Sequence, residues 1–388
     1  MDRQSLLAFL LIGLIIVFYP WYMSIVAPPS LEDQKNLTEQ SQYLNEPTTN
    51  KIVTPQVYDK NVGTQKLINV TTNLYSLDIS NKNGGSFSKY QLFRFLDYDG
   101  QLVDLISDDN KNNLALSFVS IDGDEVVLDG NWNLKESVSS LRAERTQKTL
   151  TFSTTYLDQE ITKTYTFYPD SYSIGLDVSF TNPSEFISRN QYSLSWSGGL
   201  PPTEKNVKND YMFFEGYASL GGERMGSKPK KGKPITETQK GSTLWSAVKT
   251  KYFIAAIVPA EPGIGATITS ELVGKKPVYN TDLLLSTNST NSFTSYIGPL
   301  DYESLRSFNV GLEKNVDLGW ALFRPIGQII SWLLTKLHNV IPNYGLVVIL
   351  FAVLIKLLLN PLTVKTFEST RKMQELAPQI QKLKDKYK

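Results

Sequence analysis

The sequence predicts a membrane protein with a mainly-β extracytoplasmic domain, two transmembrane helices, an interfacial amphipathic helix and a cytoplasmic coiled-coil helix. Three observations carry this prediction. Residues 6–27 and 344–362 are two apolar runs that together contain one charge. A helix of about 20 such residues crosses the ~30 Å hydrocarbon layer. Residues 66–299 instead hold many short segments of alternating side chains separated by turn residues, which is typical of antiparallel strands.

The first apolar run predicts transmembrane helix 1 over residues 1–27, as an uncleaved anchor. Tyr19, Trp21 and Tyr22 cluster toward its far end, where amphipathic rings favour the membrane–water interface. A cleaved signal peptide is the alternative, but the run is long for one and Ile25-Val26-Ala27 is a poor cleavage site. Residues 28–65 are polar and poor in large apolar side chains, which predicts a flexible linker.

Residues 66–318 predict a β-sandwich. In residues 174–180, Leu176, Val178 and Phe180 share one face and polar or small residues share the other. Turn residues such as Asn83-Gly84-Gly85 punctuate the segments. Strands are predicted at residues 149–156, 161–168, 174–180, 191–196, 265–269 and 292–297, with more strand structure at 243–258. Many short strands with regular turn signals favour a sandwich.

Residues 319–341 change to a helical period and predict an amphipathic helix. Its apolar stripe is Phe323, Ile326, Ile330, Leu333, Leu337 and Ile341, and its polar stripe is Arg324, Gln328, Ser331, Thr335 and His338. We expect it to lie flat at the membrane surface, with Trp320, Arg324, Trp332 and Lys336 as interfacial anchors. A soluble helix packed on the β domain is the alternative.

Residues 342–363 predict transmembrane helix 2, which begins after the helix-breaking pair Pro342-Asn343. Seven Lys or Arg side chains against three acidic ones follow Pro361, and an excess of positive charge marks the cytoplasmic side of a span. Two spans then place both ends of the chain in the cytoplasm. Residues 28–342 are predicted to lie outside, in the periplasm of a Gram-negative cell.

Lys356 is the charge within this second span. Helical spacing puts it on one stripe with small or polar residues, namely Gly345, Ala352, Asn360 and Thr363. A charge inside a membrane helix is a functional hypothesis by default, and such a stripe is expected to face protein or a water-filled cavity. In the alternative reading the lysine extends to the cytoplasmic interface, about 8 Å away at 1.5 Å per residue.

Residues 364–388 predict a cytoplasmic helix that starts a coiled-coil region. Apolar residues recur at alternating spacings of three and four, at Met373, Leu376, Ile380, Leu383 and Tyr387. The alternative is an amphipathic tail lying on the membrane surface.

Composition narrows the function classes. The 39 Lys and Arg residues balance 38 Asp and Glu residues, so no basic field for nucleic acid is expected. The chain has no cysteine and a single histidine, His338, which excludes disulfides and thiolate metal sites and argues against a histidine metal centre or triad. We predict no catalytic residue, no metal and no cofactor.

Several motifs resemble the YidC family of membrane protein insertases of the Gram-negative type. They are Val316-Asp317-Leu318-Gly319-Trp320, Asn343-Tyr344-Gly345, Asn360-Pro361-Leu362-Thr363, Leu376-Ala377-Pro378-Gln379-Ile380 and, in the β region, Asn83-Gly84-Gly85 and Tyr296-Ile297-Gly298-Pro299. The resemblance covers nearly the whole chain apart from the linker, and it is most specific from Gly319 to Pro378.

The resemblance implies a periplasmic β-supersandwich related to sugar mutarotases, and an inner-membrane core with a hydrophilic groove open to cytoplasm and lipid. Lys356 matches the basic residue of that groove, where many members have arginine. The implied partners are nascent membrane proteins, the Sec translocon with its accessory proteins, the phospholipid bilayer and, as a candidate, the ribosome. The implied function is insertion and folding of inner-membrane proteins, alone or with Sec, without enzymatic chemistry.

The family continues beyond this point with further core membrane helices. We therefore expect the sequence to be an incomplete portion, from a truncated chain or a partial gene product, and insertase activity to belong to the longer protein. Two alternatives stay open: a membrane-anchored periplasmic protein that binds or acts on carbohydrate, and a scaffold that binds Sec accessory proteins.

Overall fold

The computed structural model of the protein describes residues 64–317 and 324–386. All of them belong to the compact unit Gln56–Lys388. The transmembrane helix predicted at 1–27, the linker up to residue 63, and Trp320 lie outside the described residues.

The β region contains nineteen strands within the described residues. They are β1 (Leu67–Thr71), β2 (Tyr75–Ser80), β3 (Ser86–Leu96), β4 (Leu102–Asp104), β5 (Ala115–Ser120), β6 (Glu125–Val127), β7 (Asn133–Leu134), β8 (Ser140–Arg142), β9 (Lys148–Tyr156), β10 (Gln159–Phe167), β11 (Ser173–Phe180), β12 (Ile187–Trp196), β13 (Glu215–Leu220), β14 (Glu223–Gly226), β15 (Ile235–Lys249), β16 (Phe253–Pro259), β17 (Gly263–Val273), β18 (Lys276–Ser286) and β19 (Ser292–Pro299).

Four α-helices are described, and two of them are long. They are α1 (Val207–Asp210), α2 (Tyr302–Arg306), α3 (Arg324–Val340) and α4 (Tyr344–Lys386). Short 3-10 turns occur at Asp108–Asn110, Pro183–Glu185, Tyr211–Phe213 and Leu312–Asn315.

The strands form two sheets. The smaller has the order β4-β3-β2-β1-β8, with β8 parallel to β1. The larger has the order β6-β5-β12-β18-β17-β15-β16-β19-β11-β10-β9-β7, and β13 and β14 branch from β15. Strand β15 connects the two halves of the larger sheet: its first part pairs with β17, and its last residues pair with β13 on one side and β16 on the other.

The core lies between the two halves of the larger sheet and extends to the smaller sheet. Leu194 and Leu283 from one half belong to the same buried cluster as Phe152 and Leu176 from the other and Leu77 from the smaller sheet. Alternation places these side chains on the inner faces, where burial of apolar area is the main stabilising term. The predicted mainly-β sandwich architecture is confirmed. The segment predicted at 243–258 contains the end of β15 and most of β16, separated by a turn at residues 250–252.

One inner-face position carries a lysine. Lys163 lies on the buried face of β10 and is fully buried. Its Nζ donates hydrogen bonds to the carbonyl oxygens of Asn83 and Leu114, and it lies 5.7 Å from the ring centroid of Trp132. Burial lowers the pKa of Lys163 to about 7, because the low dielectric disfavours the charged form. The two carbonyl acceptors act to raise this pKa, because they stabilise the protonated form.

The long helix α4 runs without interruption from Tyr344 to Lys386, through Pro361 and Pro378. It therefore includes residues 344–363 of the predicted span 342–363 and residues 364–386 of the predicted cytoplasmic segment 364–388. Within the described residues, one helix is long and apolar enough to cross a membrane, at Tyr344–Pro361.

The β domain at 66–318 is expected to fold by itself, because its buried clusters draw on residues of that segment alone. The isolated segment is predicted to unfold cooperatively in urea and to give a β-dominated circular dichroism spectrum. A helix-rich spectrum, or an unfolded segment, would contradict this domain boundary.

Candidate functional site

Lys356 lies on the exposed surface of α4, in the candidate membrane span. Its sequence neighbours Leu357 and Leu358 are also exposed, with 68% of the Leu357 side chain accessible. From residue 348 to residue 361 the described helix has no buried side chain. Apolar side chains this exposed require a nonaqueous partner, lipid or protein. Lys356 is thus the one charged side chain on the exposed surface of residues 348–361.

The predicted stripe lies on one face of α4. Gly345, Ala352, Lys356, Asn360 and Thr363 are all exposed. The Thr363 hydroxyl donates to the carbonyl oxygen of Leu359 at 3.0 Å. This bond to the preceding turn satisfies the hydroxyl without water.

The polar stripe extends beyond the residues that the sequence analysis assigned to it. Thr366 and Thr370 continue the face of Thr363, and all three line a shallow groove with Leu359 and Phe367. The Thr370 hydroxyl donates to the carbonyl oxygen of Thr366 at 2.9 Å. In the sequence, Thr366 and Thr370 follow Thr363 at spacings of three and four residues, and this pattern could have predicted the longer stripe.

A tight corner joins α3 to α4. The rings of His338 and Tyr344 stack with centroids 3.6 Å apart. Asn343 accepts a hydrogen bond from the backbone N–H of Leu346 at 3.3 Å, and Val347 is fully buried. His338 was predicted on the polar stripe. In the structure its side chain is half-buried, because the corner brings Tyr344 at the start of α4 against it.

The amphipathic helix α3 presents an exposed apolar strip. It consists of Ile326, Ile329, Trp332 and Val340, with Lys336 in the same strip. Trp332 is 61% exposed. Of the predicted anchors, Trp332 and Lys336 are exposed; Arg324 is the first residue of the helix. An exposed strip of this kind suits the membrane–water interface.

The helix α3 also contacts the β domain. The Gln328 side-chain amide donates to the Tyr302 hydroxyl of α2 at 3.0 Å. The elements that precede the span are therefore linked to the end of the β domain that contains α2.

No cluster of three or more His, Cys, Asp or Glu side chains suited to a metal ion occurs in the part of the chain that the structure describes. Between residues 344 and 363, α4 offers a surface chemistry of one ammonium group, amide and hydroxyl groups, and a wide apolar area.

Comparison with known families gives two matches. The model of the YidC periplasmic domain matches residues 67–333, and that of the 60Kd inner membrane protein matches residues 336–388. Together they cover the β domain, α3 and α4.

Curated relatives match over the full length of the chain. Membrane protein insertase YidC of Chlorobium limicola is 31% identical over 412 residues, covering 100% of this chain and 70% of the relative. Membrane protein insertase YidC of Chlorobium phaeovibrioides is 32% identical over 413 residues, with the same two shares covered.

Among solved structures, the likeness is distant. A putative aldose 1-epimerase of Escherichia coli K12 superposes with a TM-score of 0.37 at 9% identity, covering 61% of this chain and 99% of that chain. An α-galactosidase of Geobacillus stearothermophilus superposes with a TM-score of 0.34 at 11% identity, covering 67% of this chain and 44% of that chain. We draw no functional argument from either.

The relatives match the whole chain, the two family models match residues 67–333 and 336–388, and the polar stripe with Lys356 lies inside the second of these segments. The chain belongs to the YidC family of membrane protein insertases.

Proposed function

We propose that the protein inserts membrane proteins into the inner membrane, alone or with the Sec translocon, through a hydrophilic groove partly lined by the Lys356 face of α4. The observation that carries the proposal is an exposed lysine within Tyr344–Pro361, on one face with Ala352, Asn360 and Thr363. The insertase family is not a family of enzymes, so the function requires a binding surface rather than catalytic groups.

The proposed topology has both ends of the chain in the cytoplasm. It comprises transmembrane helix 1 at 1–27, a linker at 28–65, the periplasmic β domain at 66–318, the interfacial helix at 319–341, the second span at 342–363 and a cytoplasmic helix at 364–388. The positive charges after Pro361 support this orientation.

The Lys356 ammonium lowers the free-energy barrier for polar parts of a passing substrate. Moving a hydrated carboxylate toward the bilayer centre costs several kcal/mol when nothing replaces its water. An ammonium group, an amide and hydroxyl groups on one face replace part of that hydration. The electrostatic attraction is stronger there than in water, because the surrounding dielectric constant is lower.

The partners follow from this arrangement. Newly made membrane proteins contact the Lys356 face, and the phospholipid bilayer contacts the apolar surface of α4 and the exposed strip of α3. The cytoplasmic end of α4 is proposed as a contact for the ribosome. The β domain is proposed as the contact for Sec accessory proteins.

Substitutions at Lys356 test the proposal in cells that depend on this protein. Lys356→Leu is expected to slow insertion of substrates with acidic translocated segments roughly tenfold, which corresponds to a loss of about 1.4 kcal/mol. Lys356→Arg preserves the charge and is expected to retain function. Protein level is expected to stay unchanged, because Lys356 is exposed. Insertion of a substrate lacking acidic residues is the internal control.

Thiol accessibility provides a second readout, because the chain has no native cysteine. Cysteines at positions 352, 356 and 360 are expected to react with a water-soluble reagent, whereas cysteines at 354 and 358, on the opposite face, are not. Equal labelling at all five positions, or labelling at 360 alone, would mean that Lys356 reaches the interface as an anchor and lines no groove.

A further inference from the structure

A second surface feature lies at one end of the β domain. The end of β3, the turn before β16 and the start of α2 enclose a groove of about 740 Å³, here named the end groove. Its walls include Arg94, Leu96, Tyr98, Tyr252 and Ser304. The groove is built from segments about 200 residues apart in sequence, so only the fold brings them together.

The rim of the end groove is apolar and exposed. Leu96, Tyr98 and Tyr252 line the groove and are exposed, and the exposed Met212 and Phe213 belong to the loop at residues 203–214, whose Thr203 and Glu204 also line it. Met212 is 70% exposed and Tyr98 is 57% exposed. The Lys251 Nζ lies 5.7 Å from the ring centroid of Phe213, which makes the loop continuous with the groove. A contiguous exposed cluster of this kind marks an interaction surface.

Polar contacts hold the rim in place. The Asp210 carboxylate is fully buried and accepts hydrogen bonds from the backbone N–H groups of Thr203 and Glu204, at 2.8 and 3.3 Å. Glu204 in turn accepts from the Tyr252 hydroxyl at 2.5 Å and from Lys251 at 3.1 Å. The exposed side chains therefore project from an ordered loop.

Cationic side chains accompany the apolar rim. Lys205 and Lys208 are exposed on the same loop as Met212, and Lys251 and Arg94 line the groove. The groove lining also carries three carboxylates: Glu204 pairs with Lys251, whereas Asp97 and Asp301 accept hydrogen bonds from the backbone N–H groups of Asp99 and Ser304. Aromatic rings and methionine beside lysines are the composition of a surface that lies in the lipid headgroup region.

The position of α2 indicates which way this end faces. Ser304 of α2 lines the end groove, and Tyr302 of the same helix accepts the hydrogen bond from Gln328 of α3. Helix α3 leads through the corner at His338 directly into the span that starts at Tyr344. The apolar rim and the interfacial helix are therefore neighbours through α2.

We propose that this end of the β domain docks on the outer surface of the bilayer. Leu96, Tyr98, Met212 and Phe213 would lie in the membrane–water interface, and Lys205 and Lys208 would contact lipid phosphates. The docked rim would enter the boundary between headgroups and acyl chains by about 5–10 Å. Docking holds the β domain at a fixed height beside the spans. This inference rests on the topology proposed above.

The test uses the full chain in vesicles of phosphatidylcholine with or without phosphatidylglycerol. A polarity-sensitive fluorophore is attached to a single cysteine at Tyr98→Cys or Met212→Cys. The control is Ile121→Cys, whose native side chain is as exposed as Tyr98, at 57%. Ile121 lies near the other end of the domain. It directly follows β5, whose Phe118 ring contacts the ring of Tyr156 at the end of β9. Strand β10 starts at that end and runs to the groove end over about 30 Å, at 3.3 Å per residue.

A lipid-attached nitroxide is expected to quench the probes at 98 and 212 several-fold more strongly than the probe at 121. Lys205→Gln with Lys208→Gln is expected to reduce that quenching in vesicles with phosphatidylglycerol, since lysines near an anionic surface attract it. Equal quenching at the three positions overturns the inference. The inference is also overturned if the probes at 98 and 212 become shielded from water only when an unfolded apolar peptide is added. That result would assign the groove to the binding of polypeptide.

Orientation is measured in parallel vesicles that hold the same variants without the fluorophore, so that the two proposals can fail separately. A membrane-impermeant thiol reagent is added on the side opposite the C-terminus of α4. If the Ile121→Cys variant reacts while lipid quenching at 98 and 212 is weak, the docking alone is refuted. If that variant is protected from the reagent on this side, the topology is refuted.

Discussion

Alanine in place of Gly198 is expected to lower the free energy of unfolding of the β domain by about 3–5 kcal/mol. Gly198 has a φ of +83°, and a Cβ there would overlap the carbonyl oxygen of Asp109 and lie 2.8 Å from the Cα of Asn110. Both neighbours are backbone, so a rotamer change cannot relieve the clash. Gly198 also donates its N–H to the Asn280 side chain at 2.7 Å.

Gly123→Ala is the matched control for Gly198→Ala. Gly123 has a φ of +92°, but no neighbouring heavy atom lies within 4 Å of the position that an added Cβ would occupy. Only the left-handed backbone strain of about 1 kcal/mol is expected there. Urea denaturation of the two variants and the wild type measures the difference. Equal losses in both variants would mean that the Asp109 backbone moves away freely.

The free energy of unfolding is expected to rise with pH above neutrality because of Lys163. Burial lowers its folded-state pKa to about 7, whereas an unfolded lysine titrates near pH ~10.4. Between these values the unfolded chain binds more protons, so stability increases by up to about 1.4 kcal/mol per pH unit. Below about pH 7 the lysine is protonated in both states, and its contribution stays constant.

Lys163→Met is expected to remove this pH dependence. Urea midpoints of the wild type and the variant are compared from about pH 7 to about pH 9, below the range in which tyrosines titrate. Lys89→Met, at an exposed lysine of β3, is expected to keep the wild-type slope. Parallel pH profiles for the wild type and Lys163→Met would show that the carbonyls of Asn83 and Leu114 offset the effect of burial.

The fold could be predicted where a local period carries it. Residues 174–180 alternate in sequence, and the structure has strand β11 there with Ile174, Leu176 and Val178 buried. The same period places Lys163 on the buried face of β10, yet its two carbonyl partners lie 80 and 49 residues away. A local window contains no information on partners at that separation.

The candidate site, like the fold, could be predicted where a local period carries it. The 3.6-residue period alone puts Lys356 on one stripe with Ala352, Asn360 and Thr363. The break at Pro342-Asn343 was predicted, but the stacking of His338 on Tyr344 was not, because it depends on the angle at which one helix leaves the next. The end groove was not predicted either, since Leu96, Tyr252 and Ser304 meet only after the sheets have formed.

The sequence by itself determined the candidate span at Tyr344–Pro361, the excess of positive charge that follows it and the β character of residues 66–318, because hydropathy and side-chain period are properties of contiguous residues. The tertiary structure decided how β15 is shared between the two sheet halves, which groups satisfy a buried lysine, and which loops form the end groove. Each of these depends on pairing between distant segments, and such pairing is fixed by packing over the whole domain rather than by local preference.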